Sequence, residues 1–187
     1  MRSREIVLVG RRPLRVHEEA RDSQAVHYFY WRLDLYKLDD YEPVKVHEEG
    51  EELSVLTRLH WRGLVLWSSP ELRRGRPLVD FAWGIHTPAV VSRDLGFHLI
   101  GDLDELPLAD RFAIQFFLNA VLPLARPAPP REFSGYADLL VREPPPPKYR
   151  FEPKGARYVI VVGEFTDRVR ERVEGILARK CSGGGTP

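Results

Sequence analysis

Apolar residues fall into short runs separated by charged, glycine-rich or proline-rich breaks, and those runs predict alternating strands and helices. Glu5 to Val9 reads as a buried strand ended by Gly10 and a turn at Arg11 to Pro13. Leu14 and Val16 resume an extended pattern, and His17 to Arg21 reads as the start of a short helix. Arg32 to Leu38 alternates as a half-exposed strand does. Leu53, Val55, Leu56 and Leu59 predict a helix closed at Gly63, followed by a strand at Leu64 to Trp67. Pro77 to Trp83 predicts another short helix, with Pro77 in its first turn and a break at Thr87–Pro88.

The second half divides more sharply. Val90 to Leu103 holds extended pieces punctuated by Gly96 and Gly101. Phe112, Phe116 and Asn119–Ala120 have helical spacing and predict a helix over 108–122, stopped by Pro123. Tyr136 to Val141 reads as a strand and Pro144 to Pro147 as an extended connector. Arg157 to Gly163 is the strongest strand in the chain. Thr166 is placed to cap a final helix with the apolar stripe Val169, Val173, Ile176 and Leu177, and Arg179 and Lys180 suit its last turn. The pattern predicts an α+β fold without internal repeats.

Composition narrows the function classes. The 187 residues carry 28 basic and 27 acidic side chains, a net charge of +1 that excludes a strongly cationic nucleic-acid wrapper. Any RNA contact has to be a local patch. The single cysteine, Cys181, allows no intrachain disulfide and suits a reducing compartment. The apolar runs fall short of the roughly 20 residues of a membrane span, and no targeting segment is visible. These features predict a cytoplasmic protein with no membrane role. Arginine in excess of lysine and loop prolines fit a thermophile or a GC-rich genome equally.

Candidate chemistry is sparse. Histidines at 17, 27, 47, 60, 86 and 98 show no metal-ligand spacing, so no metal or other cofactor is predicted, and each reads as an ordinary surface or half-buried residue. No G-x-G-x-x-G, Walker or G-x-S-x-G motif occurs. The acidic group Glu48, Glu49, Glu51 and Glu52 reads as a solvated loop or helix start, and Asp102, Asp104 and Glu105 as a solvated cluster. The consecutive Tyr28, Phe29, Tyr30 and Trp31, with Trp61, Trp67 and Trp83, read as core, with base stacking as the alternative.

The order of elements resembles the archaeal tRNA-splicing endonuclease family. The segments carrying the resemblance begin with Val7 to Gly10, Leu14 to Val16 and Glu18 to Arg21. They continue with Leu53–Ser54, Arg62–Gly63, Leu64 to Leu66 and Pro77 to Phe81. In the second half they are Phe133 to Val141, Arg157 to Val162 and Val173 to Lys180, with Val90 to Phe97 as an alternative register. The resemblance implies two small αβ domains: an N-terminal one over 1–86, and a nuclease-like one over 87–187 with a mixed sheet flanked by helices. Where the family carries a catalytic tyrosine, histidine and lysine, this chain has Arg142, Gly155 and Lys180. No base and acid pair can be built from those three, so the resemblance implies no catalytic residue here. It implies the structural subunit of the crenarchaeal two-subunit enzyme, joined with a catalytic subunit in a two-plus-two heterotetramer that cleaves bulge–helix–bulge introns of precursor tRNA. Candidate RNA contacts are Arg142, Lys148, Arg150, Lys154, Arg179 and Lys180. Two other classes stand beside this one: an α+β protein-interaction module of a thermophile with no RNA role, and an independent enzyme using Asp102, Asp104 and Glu105.

Overall fold

The computed structural model describes residues 4–10, 12–33, 38–60, 62–126 and 136–179. In chain order its strands are β1 (Val7–Leu8), β2 (Arg15–Arg21), β3 (Gln24–Leu33), β4 (Leu38–Glu49), β5 (Glu52–Leu59) and β6 (Gly63–Trp67). There follow β7 (Leu72–Arg73), β8 (Arg76–Phe81), β9 (Pro88–Val90), β10 (Phe97–Ile100) and β11 (Tyr158–Val162). The α-helices are α1 (Leu108–Phe116) and α2 (Asp167–Ala178). This is an α+β fold.

Seven strands form one mixed sheet in the order β10-β11-β6-β5-β4-β3-β2. Only the β11–β6 pairing is parallel; the rest are antiparallel. A smaller sheet orders β1-β8-β7, with β9 also on β8. Between the two sheets lies the larger core, built from Phe29, Trp31, Val44, Val46, Trp67 and Ile160 against Phe81, Val90, Ile114 of α1 and Phe117 just after it. On the opposite face Leu56, Leu66, Val159 and Val161 meet the α2 stripe Val169, Val173 and Ile176. Strands covered on both faces must be apolar throughout, and β6 and β11 are buried at every position.

Several predicted elements change type. The helices expected at 17–21, 53–61 and 77–83 are the strands β2, β5 and β8. In β5 the apolar positions fit either period, and burial decides. Leu53, Val55 and Leu59 fill the core under α1, while Leu56 fills the core under α2. The strand expected at 136–141 is a 3-10 turn over Tyr136–Leu139, with only a bridge from Leu140 to Val16. Its preceding residues, 127–135, lie outside the described residues. Pro123 does not stop the helix after α1. The run passes through a π-type turn and a 3-10 turn at Leu122–Ala125, where Pro123 sits in the first turn and needs no N–H. That run, Leu108–Ala125, has 18 residues and a mean hydropathy of 1.3, enough to span a membrane by length and composition; it packs Ile114, Phe117 and Val121 into the core.

The expected division at residues 86 and 87 does not separate two units. β11 inserts between β10 and β6, and the larger core draws on both halves. An apolar strand such as β11 needs partners on both edges, and β6 supplies one of them. The segments quoted for the splicing-endonuclease resemblance therefore differ in element type at 18–21, 53–61, 77–81 and 136–141.

β11 and β6 meet most tightly where Tyr158 pairs with Gly63. A Cβ on Gly63 would stand 2.2 Å from the Tyr158 ring. The Tyr158 hydroxyl is buried with no hydrogen-bond partner, and burial, then the charge of Asp110, push its pKa upward. Gly63→Ala is expected to displace this ring and cost about 1–3 kcal/mol, as overpacking does. A melting temperature unchanged within about 1 °C would contradict that packing.

Candidate functional site

β4 carries its core-facing row past the end of the core. Val46 and Val44 point into the core under α1, and at the same alternation Glu42 and Asp40 follow. The β4–β5 ladder stops at the Val44 and Thr57 pair, although β4 begins at Leu38 and β5 runs on to Leu59. The two strands therefore part. A groove of about 630 Å³ opens where they do so.

One wall of the groove is apolar. Phe112, Phe116 and Ala113 come from the helical run, with Ile85 from the β8–β9 turn. Phe112 is 65% exposed, unusual for a ring beside a core. The other side is polar: Asp40, Glu42, Arg58, His60, Thr87 and Tyr149. Tyr149 stacks on Tyr41 at 4.4 Å between ring centroids, closing the end nearest the proline connector.

Two histidines are fixed by carboxylates here. His60 Nδ1 lies 2.8 Å from Asp110 Oδ1, and Asp110 is buried in the first turn of α1. With Nδ1–H donating to that carboxylate, Nε2 becomes the basic nitrogen of the ring. His86 is buried, stacked on Trp31 at 4.6 Å, and its Nδ1 lies 3.2 Å from Asp40 Oδ2. Both histidines hold left-handed backbone, with φ of 55° at His60 and 58° at His86. Non-glycine residues in that region cost about 1 kcal/mol or more and concentrate at functional sites.

Glu42 is the acid of the set. Burial pushes its carboxyl well above the ordinary range, and the neighbouring Asp40 charge pushes the same way; Arg58 opposes both. The groove thus brings together a carboxyl group whose proton affinity is raised, an imidazole oriented by a carboxylate, and a guanidinium. Among the described residues no group of three or more His, Cys, Asp or Glu side chains could hold a metal ion.

None of these residues was singled out as a site from the sequence. The legible signal was the carboxylates at core-facing positions of β4, which an apolar pattern does not explain. The positions expected to matter lie elsewhere. Arg142 is exposed beside the edge strand β2, where Val141 donates its N–H to Val16. Gly155 sits in the turn before β11, with φ of 81°. β2 and β11 are five strand spacings apart, roughly 20 Å or more at ~4.8 Å each, so Arg142 and Gly155 do not share a site. Arg150 lines a small cavity with Lys45 and Phe151, Lys154 is exposed, and the Arg179 Nε donates to Gly175 O. Lys180 and the Lys148 side chain lie outside the described residues. Asp102, Asp104 and Glu105 form an exposed turn in which Asp104 N–H donates to Asp102. Of the aromatic group, Phe29, Trp31 and Trp67 are core, Tyr28 fills the second core, and Trp83 is 84% exposed; Trp61 lies outside the described residues.

Glu42 sets a pH dependence whose sign is fixed. Its folded pKa is raised, so its contribution is fully present below the ordinary glutamate value of 4.5 and is lost as pH rises through the raised value. Glu42→Gln removes that loss. The variant is expected to match the parent near pH 4 and to melt progressively higher than it toward pH 7. A difference in melting temperature that is constant across this range would show that Glu42 ionises normally.

No family model, curated protein or solved structure matches the chain, and what the groove does follows from its own geometry.

Proposed function

We propose that the groove binds a small organic molecule with an apolar body and a polar head, and that Glu42 and His60 move a proton at that head. The observation that carries this is the meeting of the Glu42 carboxyl, its pKa raised by burial, and a carboxylate-oriented imidazole in one groove. A volume of about 630 Å³ falls in the range of roughly 300–1,000 Å³ typical of small-molecule sites. Phe112, Phe116 and Ile85 receive the apolar body. His60 Nε2 takes the proton as base, Asp110 orients the ring, and Glu42 donates to the oxygen on which charge develops. Arg58 stabilises that charge. Burial, and then the negative charge of Asp40, which His86 braces, raise the proton affinity of Glu42. Two carboxyl groups, Asp40 and Glu42, against one arginine make the groove a poor channel for a polyanion, which favours a small molecule over RNA there.

The test pairs binding with proton transfer. Aryl-alkyl ketones are screened by amide NMR for shifts at Ala109, Phe112 and Ala113, and the hits are incubated in D2O. Deuterium incorporation next to the carbonyl is expected by mass spectrometry. His60→Asn keeps a side chain suited to the left-handed backbone and is expected to slow incorporation about 10²–10⁴-fold with binding retained. Absence of groove binding, or incorporation unaffected by His60→Asn, would overturn the assignment.

A second reading keeps the expected role as a non-catalytic subunit of a tRNA-splicing endonuclease. It is favoured by the exposure of Arg142, Arg150 and Lys154 along one connecting segment, where loop cations can meet phosphates. Co-expression with a catalytic endonuclease subunit should then yield a two-plus-two complex that cleaves intron-containing precursor tRNA. Separate elution of the two chains would remove this reading.

A further inference from the structure

On the opposite face of the sheet from the groove, α2 crosses β4 and β5 and leaves a cavity of about 90 Å³. Lys45 and His47 reach it from β4, Ser54 from β5, Arg172 from α2, and Arg179 from the cap at its end. The two arginines lie on one helical face with the buried Ile176 between them. No carboxylate lines this cavity. Glu49, at its margin, holds Arg172 at 3.1 Å and lies 3.7 Å from His47. Lys45 instead faces the Phe151 ring, 6.0 Å from its centroid. The cavity therefore gathers three cationic side chains and an imidazole against one peripheral acid.

Such a cluster opposes itself. Burial, then the charge of Arg179, push the Lys45 pKa down. Burial and Arg172 do the same to His47, outweighing Glu49. Ser54 accepts a hydrogen bond from Arg172 Nη1 at 2.7 Å, so its own hydroxyl proton is directed elsewhere as a donor. Like charges converging with a hydroxyl donor, all but the exposed Arg179 half-buried, form a receptor for an anion.

We infer that the cavity between α2 and β4–β5 is a phosphate site that takes the terminal group of a phosphomonoester, with Lys45, Arg179, Ser54 and His47 as its donors. Its volume is about three times the ~30 Å³ share of a water molecule, which suits one tetrahedral oxyanion and not a nucleotide. The rest of a monoester extends outward past Gln24 and Arg179. Arg172, already held by Glu49 and Ser54, positions Ser54 and adds charge.

The probe is inorganic phosphate, then phenyl phosphate, each set against sodium chloride at matched ionic strength. Phosphate is expected to raise the melting temperature with the logarithm of its concentration above Kd, by about 5–10 °C at a concentration near one hundred times its Kd. Phenyl phosphate should do the same. Lys45→Met should raise the melting temperature in chloride, because it relieves the crowding, and should abolish the response to phosphate. Arg179→Gln, at an exposed position, should reduce the response at least tenfold in apparent Kd with the fold intact. Arg142→Gln, remote from the cavity, should change neither. An equal response to chloride, or a phosphate response retained in Lys45→Met and Arg179→Gln, would overturn the site. So would binding confined to an oligoribonucleotide of twelve uridines, which would make the cluster a backbone contact. The Glu42 and His60 side of the sheet takes no part in these measurements, so failure of the groove assignment leaves them unaffected.

Discussion

The pairing of β11 with β6 is the constraint on which the other layers depend. Both strands are apolar at every position, so each needs a cover on both faces. The small sheet and α1 supply one cover, α2 the other. Once these covers are in place, α1 must begin beside the end of β5, which puts Asp110 within reach of His60. The site is thus a by-product of covering the sheet. Where the cover ends, β4 and β5 separate and the groove remains.

The parts of this arrangement that were legible in the sequence are those with one period and one environment. The run over 157–163 can only be a buried strand, and the Thr166 cap with Val169, Val173 and Ile176 can only be an amphipathic helix; both stand as read. β5 and β8 were misread because a strand buried on both sides loses its alternation, and Leu53, Val55, Leu56 and Leu59 then fit a helical stripe equally well; β2 was misread because it is an edge strand whose one buried residue, Val16, sets no period. Sheet order decided the matter, and sheet order depends on contacts between residues far apart in sequence. The acidic stretch around Gly50 is a solvated hairpin turn joining β4 to β5, because the ladder closes at Glu49 and Glu52.

The groove was hidden for a different reason. Its polar residues come from β4, β5, α1 and the segment around Tyr149, and no two of the carboxylate and imidazole partners are close in sequence. A catalytic motif is visible in a sequence when one local element carries it, and none does here. What local pattern did offer was a mismatch: carboxylates at Asp40 and Glu42 on positions whose neighbours toward Val46 are core. Residues that break the pattern of their own strand mark sites where stability has been traded for chemistry. The left-handed backbone at His60 and His86 is a second mismatch of that kind, and it is invisible until the turns are built.

The insertion of β11 next to β6 also sets the order in which this chain can acquire its structure. Its partner edge on β6 is made about 95 residues earlier. At the synthesis rates of ribosomes, roughly 5–20 residues per second, that edge waits on the order of 5–20 seconds before the strand that covers it emerges. Meanwhile the run Leu64 to Trp67 is an open apolar strand, the form of backbone most prone to pair with another chain. The antiparallel strands β2 to β6 join neighbours in sequence and can assemble early, whereas closure waits for a long-range parallel pairing, which forms slowly. Newly made copies at high concentration would therefore meet one another through β6, and a holding chaperone on the nascent chain would act during that interval and not after it.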